Sequence, residues 1–430
     1  MSIPLFKSIP NISLRLGWFS ISLPVIFPLT ALAGADILTN INRKKVAEVA
    51  REFETKVLHG DKKVERKIKS KVTPIYQTSA FTFKDLDELE GFYEGSGHYL
   101  YSRVGNPNTD ELGAAVARLE EAPAGVAASS GLSAILAGVL AAVKSGEHII
   151  AADDVYGGSY HMLKEELKDL GIETTFVSFT DLSNVEKEIR DNTRLIYTES
   201  ITNPLLRVEN LEAVIDFAKG KGLLTLVDNT FATPLHVRPF ELGADLVVHS
   251  ATKYIGGHSD VTSGVVVGRE DLIAKAGSKI ANLGSNLSPF EAWLTVRGLK
   301  TLALRMKTQS SNARKLALAL KDHADVKKVY YPFDQGGEDG FGAMVTVELS
   351  EKADMNEFFR ALSWIKIAPT LAGVESTVSH PEVTSHRALS PEARAALGIN
   401  RQVVRISVGI EHADDIISQF EDAIRESVRK

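Results

Sequence analysis

Past residue 120 the chain alternates short apolar runs with amphipathic stretches, and this alternation restricts its fold more than any other feature. The runs "GVAAS", "HIIAA", "TTFVSF", "RLIYTE", "LLTLVD", "DLVVHS" and "SGVVVG" read as buried strands rich in β-branched residues. Between them lie helical patterns such as "SYHMLKEELKDLG" and "NLEAVIDFAKGKG", each ending in the glycine that helices often take at their close. Strand–helix alternation implies a mainly parallel sheet covered on both faces. In such sheets a ligand lies beyond the carboxyl ends of the strands, so polar residues there are the first candidates for chemistry.

The rest of the chain is organised differently. At 430 residues it suits two domains, or one large domain with an appendage. Near residue 300 a long helical stretch, "KTLALRMKTQSSNARKLALALKDH", is suited to bridging domains, and "GAMVTVEL", "VVRISVGI" and "DDIISQFEDAIRESVRK" suggest a smaller α+β domain over 301–430. The large α/β domain is expected over 107–300, preceded by an arm at 42–106 that is poor in core pattern and expected to pack on a neighbouring subunit. Residues 1–35 hold no acid, carry Lys7 and Arg15, and run into "GWFSISLPVIFPLTALAGA". That is the layout of a secretory signal, so 1–41 is read as a leader or as an extension from a start assigned too far upstream. Pro24 and Pro28 count against a membrane-spanning helix, and no membrane association is expected.

Composition removes several classes of function. A net charge of −6, with the densest basic run "DKKVERKIKSK" interleaved with acids, argues against a nucleic-acid surface. The chain has no cysteine, which excludes disulfides, thiolate nucleophiles and cysteine-based zinc or iron–sulfur sites; no metal site is expected. No G-x-G-x-x-G follows the first strand, so a nucleotide-binding dehydrogenase lacks support.

Three strand ends carry unusual polar groups. "LLTLVDNTFATP" places Asp228 directly after an apolar run, where a carboxylate is costly without a cationic partner. "LIYTESITNP" brings Glu199 and Asn203 to the next turn, and "DLVVHSATK" brings Ser250, Thr252 and Lys253. Earlier, "AASSGLSAILAG" offers a strand, then Ser130–Gly131, then a helix start whose amides can take an anion. Singly, each has a plain explanation: Asp228 or Ser130 as a helix cap, His249 as a satisfied core histidine. Together they fit one ligand that has a phosphate, a protonated ring nitrogen and an aldehyde. Pyridoxal phosphate has all three, and a lysine Schiff base with an acidic partner for the ring nitrogen is its generic arrangement.

From about residue 53 onward the sequence resembles the pyridoxal-phosphate enzymes of cysteine and methionine metabolism, in the ordered motifs "TPIYQTSAF", "YSRVGNP", "SSGLSAI", "DDVYGGSY", "VDNTFATP", "HSATKYIGGHSD" and "VRISVGIE". This family includes cystathionine γ-synthase, cystathionine γ- and β-lyases, methionine γ-lyase and the homoserine sulfhydrylases. The resemblance implies an α/β fold of the aspartate-aminotransferase type (fold type I), with a mainly parallel seven-stranded sheet and a smaller C-terminal α+β domain. It makes Lys253 the Schiff-base lysine and Asp228 the partner of the ring nitrogen. It gives Ser130, Gly131, Leu132, Ser250 and Thr252 to cofactor binding, Asn203 to the phenolic oxygen, and Tyr156 to stacking on the ring. Tyr101 and Arg103 would reach into a neighbouring subunit's site, Tyr101 near the reacting amine and Arg103 at the phosphate. Arg405 would clamp the substrate carboxylate, a task suited to a forked guanidinium, with Thr370 also on the substrate side.

The chain departs from the family in places. Gly158 stands where methionine γ-lyases have a cysteine, and His161 where many cystathionine-handling members carry an arginine near the distal end of the substrate. Glu375, in "LAGVES", stands where cystathionine γ-synthases and γ-lyases have an acid, so Glu375 and His161 are both expected to bind the distal end of the substrate. The expected activity is therefore cystathionine γ-synthase or γ-lyase, on amino-acid substrates, in a cytoplasmic homotetramer built as a dimer of dimers with shared sites. O-acetylhomoserine sulfhydrylase, cystathionine β-lyase and methionine γ-lyase remain alternatives, as does a cofactor-binding regulator without catalysis.

Overall fold

The computed structural model describes residues 51–59, 70–95, 99–387 and 390–428, so the expected leader over 1–41 lies outside the described residues. The seven apolar runs form β1 (Ala124–Ala128), β2 (His148–Ala152), β3 (Glu173–Val177), β4 (Thr193–Glu199), β5 (Leu224–Asp228), β6 (Leu246–His249) and β7 (Gly264–Gly268). They join in one sheet in the order β1-β7-β6-β5-β4-β2-β3. The pairs among β2 to β6 are parallel, whereas β7 runs antiparallel to both β1 and β6.

Side-chain alternation explains why these runs are apolar throughout. Val227, Val247 and Val265 enter one core, while their neighbours Leu226, Val248 and Val266 enter the core on the opposite face. With helices on both faces the inner strands are shielded from water, and β2, β6 and β7 are buried at every residue, whereas the edge strand β3 is at most partly buried.

A second sheet follows. It contains β8 (Val326–Tyr330), β9 (Met344–Leu349), β10 (Lys366–Ile367), β11 (Thr377–Ser379) and β12 (Val403–Ser407), in the order β10-β11-β12-β9-β8. Only its β10–β11 pair is parallel. The helices Leu302–Lys321 and Ala413–Val428 supply Leu316, Leu320, Ile416 and Phe420 to the core that also holds Val345, Val347 and Ile406.

The helix Leu302–Lys321 reaches toward both sheets with polar side chains. Arg305 donates to the carbonyls of Tyr254 and Gly298, both at 2.8 Å, and Gln309 donates to Gly373 and Val408 at 2.8 and 3.1 Å. Within 42–106 the helix Phe53–Leu58 buries Phe53 and Val57, but the helix Leu86–Tyr93 buries none of its residues. Among the described residues no helix is long and apolar enough to cross a membrane.

Candidate active site

The turn after β6 positions Lys253. Lys253 N–H donates to the Ser250 carbonyl at 3.0 Å, and Gly257 N–H donates back to the Lys253 carbonyl at 2.7 Å. The guanidinium of Arg305 braces this turn through Tyr254, as described above. Lys253 Nζ lies 3.3 Å from Thr370 Oγ1, on the segment that follows β10. Burial, helped by the nearby charge of Arg405, pushes the lysine down from 10.5 to about 8.

Asp228 ends β5 one strand away. Its Oδ1 accepts Thr230 N–H at 2.9 Å and the Thr230 hydroxyl at 2.5 Å. That hydroxyl in turn accepts Ser250 N–H at 2.8 Å, linking the ends of β5 and β6. Burial raises Asp228, while the two Thr230 donors and the neighbouring His249 act against that rise. Asp228 caps no helix: the next one, Thr233–His236, has Ala232 at its N-cap and no side-chain cap bond. His249 is a core histidine, fully buried with Nε2 at 2.7 Å from Glu120 Oε1.

The helix Gly131–Ala142 begins at the same edge. Ser130 does cap it, accepting Ser133 N–H at 3.1 Å. The amides of Gly131 and Leu132 have no carbonyl one turn earlier to bond within the helix. A β-carbon at Gly131 would stand 2.6 Å from Ser250 Cβ, so glycine is required for the helix start to approach the β6 turn.

The second sheet contributes Arg405 from the middle of β12, opposite Thr346 and Ser379. Only 4% of it is exposed, and burial lowers it to about 10. Nη1 donates to Asn203 Oδ1 at 2.9 Å, while Nε has no partner among the described residues. A buried guanidinium with no carboxylate beside it is costly unless a ligand supplies one.

These groups line one cavity of about 570 Å³. Ser130, Gly131, Leu132, Tyr156, Asn203, Asp228, Ser250, Thr252, Lys253, Thr370 and Arg405 all face it. Four expected residues do not. Tyr101 is 44% exposed, and Arg103 donates to the Ala281 carbonyl at 2.8 Å. His161 sits on the surface 3.5 Å from Glu166, and the exposed Glu375 pairs with Lys366 at 2.7 Å. Sequence reasoning gave no role to Glu199, Thr230 or the Val383–Thr384–Ser385 stretch, all of which line the cavity. Thr230 carries a local signal, a hydroxyl two residues beyond an acid; 383–385 carries none.

The residues present fit pyridoxal phosphate. Free helix-start amides with the hydroxyls of Ser130, Ser250 and Thr252 suit a phosphate, Asp228 suits a protonated ring nitrogen, and the depressed amine of Lys253 suits an aldehyde.

Comparison with known proteins agrees. Residues 54–425 match the family described as "Cys/Met metabolism PLP-dependent enzyme". The chain is 41% identical to a cystathionine gamma-lyase of Bacillus subtilis (strain 168) over 382 residues, covering 86% of this chain and 98% of that one. It is 39% identical to a cystathionine beta-lyase of Lactococcus lactis subsp. cremoris (strain MG1363), with the same coverage. The crystal structure of cystathionine gamma-lyase from Lactobacillus plantarum complexed with L-serine superposes with a TM-score of 0.82 at 37% identity, over 88% of this chain and 99% of that one. The chain belongs to this family of pyridoxal-phosphate-dependent enzymes, and its fold is the fold type I architecture expected from the sequence.

Proposed function

We propose that this member of the family is a trans-sulfuration enzyme, a cystathionine γ-lyase or γ-synthase, that acts on the carbon–sulfur or carbon–oxygen bond at Cγ of an amino acid. The observation that carries this reading is the meeting of two cations, the partly buried Lys253 and the buried Arg405, with Asp228 around one cavity. A 2-aminocarboxylate with a leaving group on its side chain matches that set.

When bound, the cofactor supplies an electron sink for the pair left at Cα once the proton is removed. The residues of the chain do the rest. Arg405 binds the α-carboxylate, oriented by its bond to Asn203. Lys253, its amine held down to about 8, would hold the cofactor through its aldehyde and, once freed, would take the Cα proton. Asp228, oriented by Thr230, would keep the ring nitrogen protonated. Tyr156, which lines the cavity, would cover the ring.

Tyr101 and Arg103 serve a neighbouring copy's site in this reading, and the active unit is a dimer within a tetramer. Support comes from their position away from their own chain's cavity. Mixing Lys253→Ala subunits with Arg103→Ala subunits tests this. Exchange of the two inactive proteins restores partial activity if sites are shared, and restores none if each chain is self-sufficient.

A substrate panel tests the reaction. L-cystathionine cleaved at Cγ releases 2-oxobutanoate, ammonia and cysteine, whereas cleavage at Cβ releases pyruvate, ammonia and homocysteine. Formation of cystathionine from an O-acylhomoserine and cysteine identifies the synthase. Pyruvate as the dominant product would replace this reading with a β-lyase, and inertness toward every substrate would leave a cofactor-binding regulator.

A further inference from the structure

Glu199 is a buried acid in the cavity wall to which the reaction above gives no task. It ends β4 in register with Asp228 at the end of β5. Residues at matched positions of neighbouring parallel strands point to the same face, with strands about 4.8 Å apart. Two carboxylates therefore stand side by side in the cavity wall, where burial makes like charges repel more strongly than in open water.

Nothing nearby cancels both charges. Among the described residues neither Glu199 nor Asp228 forms an ion pair with a lysine or arginine. Arg207, on the segment that follows β4, has its fork on Asp154 Oδ1 and Oδ2, both at 2.8 Å, and its third arm on Glu209 at 3.0 Å. Lys253 points to Thr370, and Arg405 to Asn203. The remaining titratable neighbours are Tyr197 on β4, Asp154 before the Tyr156 turn, and His249 on β6. A single ring nitrogen can match one negative charge and not two. Burial, with Asp228 beside it, also holds the Glu199 carboxyl well above the usual carboxylate range.

Glu199 does have a partner. Its Oε1 accepts Tyr156 N–H at 2.7 Å. Tyr156 is the N-cap of the short helix Gly157–His161, and its ring folds over that helix start: a β-carbon at Gly158 would stand 2.5 Å from Tyr156 Cε1.

We infer that Glu199 is an uncharged positioning residue: its carboxyl oxygen fixes the main chain of Tyr156, and Asp228 alone carries the negative charge of the pair. The inference rests on the cofactor reading above, since it is the ring nitrogen that selects one charge.

The test compares Glu199→Gln and Glu199→Leu with the unaltered protein, first shown to bind pyridoxal phosphate by its visible absorbance. Failure of that first step would remove the cofactor reading itself. The readouts are cofactor affinity of the apo-protein and the pH midpoint of the bound cofactor's absorbance. Glutamine keeps an uncharged oxygen acceptor, so its affinity stays within about twofold and the midpoint does not move. Leucine strands the Tyr156 N–H and weakens binding roughly tenfold. A glutamine variant with a midpoint displaced by a pH unit, or binding as weak as the leucine variant's, would show a charged Glu199 and overturn the inference. A leucine variant that binds like the unaltered protein would overturn the positioning role. If leucine prevents folding, the near-isosteric glutamine arm still decides the charge.

Discussion

The two walls of the cavity are built in different ways. On the wall from the seven-stranded sheet, polar groups interlock: Thr230 ties Asp228 to Ser250, Glu199 holds Tyr156, and Arg305 braces the Lys253 turn. On the wall from the second sheet, Arg405 bonds Asn203 and keeps an Nε without a partner among the described residues, and the Val383–Ser385 stretch is neither strand nor α-helix. An interlocked wall suits a resident group that never changes. A wall with spare donors suits a visitor that comes and goes.

The harshest way to break this contrast is to disable the interlocked wall at its reactive atom. Lys253→Ala removes both the anchoring amine and the base for Cα, so kcat falls by at least about 10³-fold while circular dichroism stays unchanged. Retention of a few per cent of turnover without added amine would mean the wrong lysine has been chosen.

The visitor's wall is tested next. Arg405→Lys keeps a charge but loses the fork, and kcat/KM for L-cystathionine is expected to drop by about 10²-fold, mostly through KM. A loss confined to cofactor affinity would place Arg405 on the resident side instead.

A gentler effect concerns coupling between the walls. Only the neutral amine attacks an aldehyde, so capture of pyridoxal phosphate by the apo-protein speeds up as pH rises, with a midpoint of about 8. Arg405→Gln removes a repelling charge and should move that midpoint upward; a fixed midpoint would separate the two walls electrostatically. The same depression means the unfolded chain binds more protons than the folded one between about pH 8 and 10.5. Apo-protein stability thus gains from this group as pH rises through that window, and Lys253→Met should flatten the rise in a denaturant titration.

The smallest effects are expected outside both walls. Glu375 and His161 are well exposed, and surface ion pairs contribute about 0–1 kcal/mol. Glu375→Ala and His161→Arg should each change KM for cystathionine by less than about fivefold. A larger change would bring these residues to the substrate through a neighbouring subunit.

The strands and the residues at their carboxyl ends were legible because burial on both faces forces continuous apolar runs, and a charged residue at the end of such a run stands out. The reversal of β7 was not, since an apolar run carries no direction. Arg405 was visible as a cation inside a strand pattern. Thr230 and 383–385 escaped notice because irregular segments have no period. Glu199 was noted at a strand end without a role, for its meaning depends on register with Asp228, which tertiary pairing alone sets.

The reversed strand β7 has a consequence for motion. Because it returns beside β6, both ends of the Lys253 loop are fastened to adjacent strands within the sheet rather than at its rim. Interior strands open only when much of the protein opens, whereas rim elements fray at little cost. The loop therefore cannot swing as a flap. Whatever travel Lys253 makes between cofactor and substrate must come from rotation about its own four-carbon stem, with the main chain beneath it standing still.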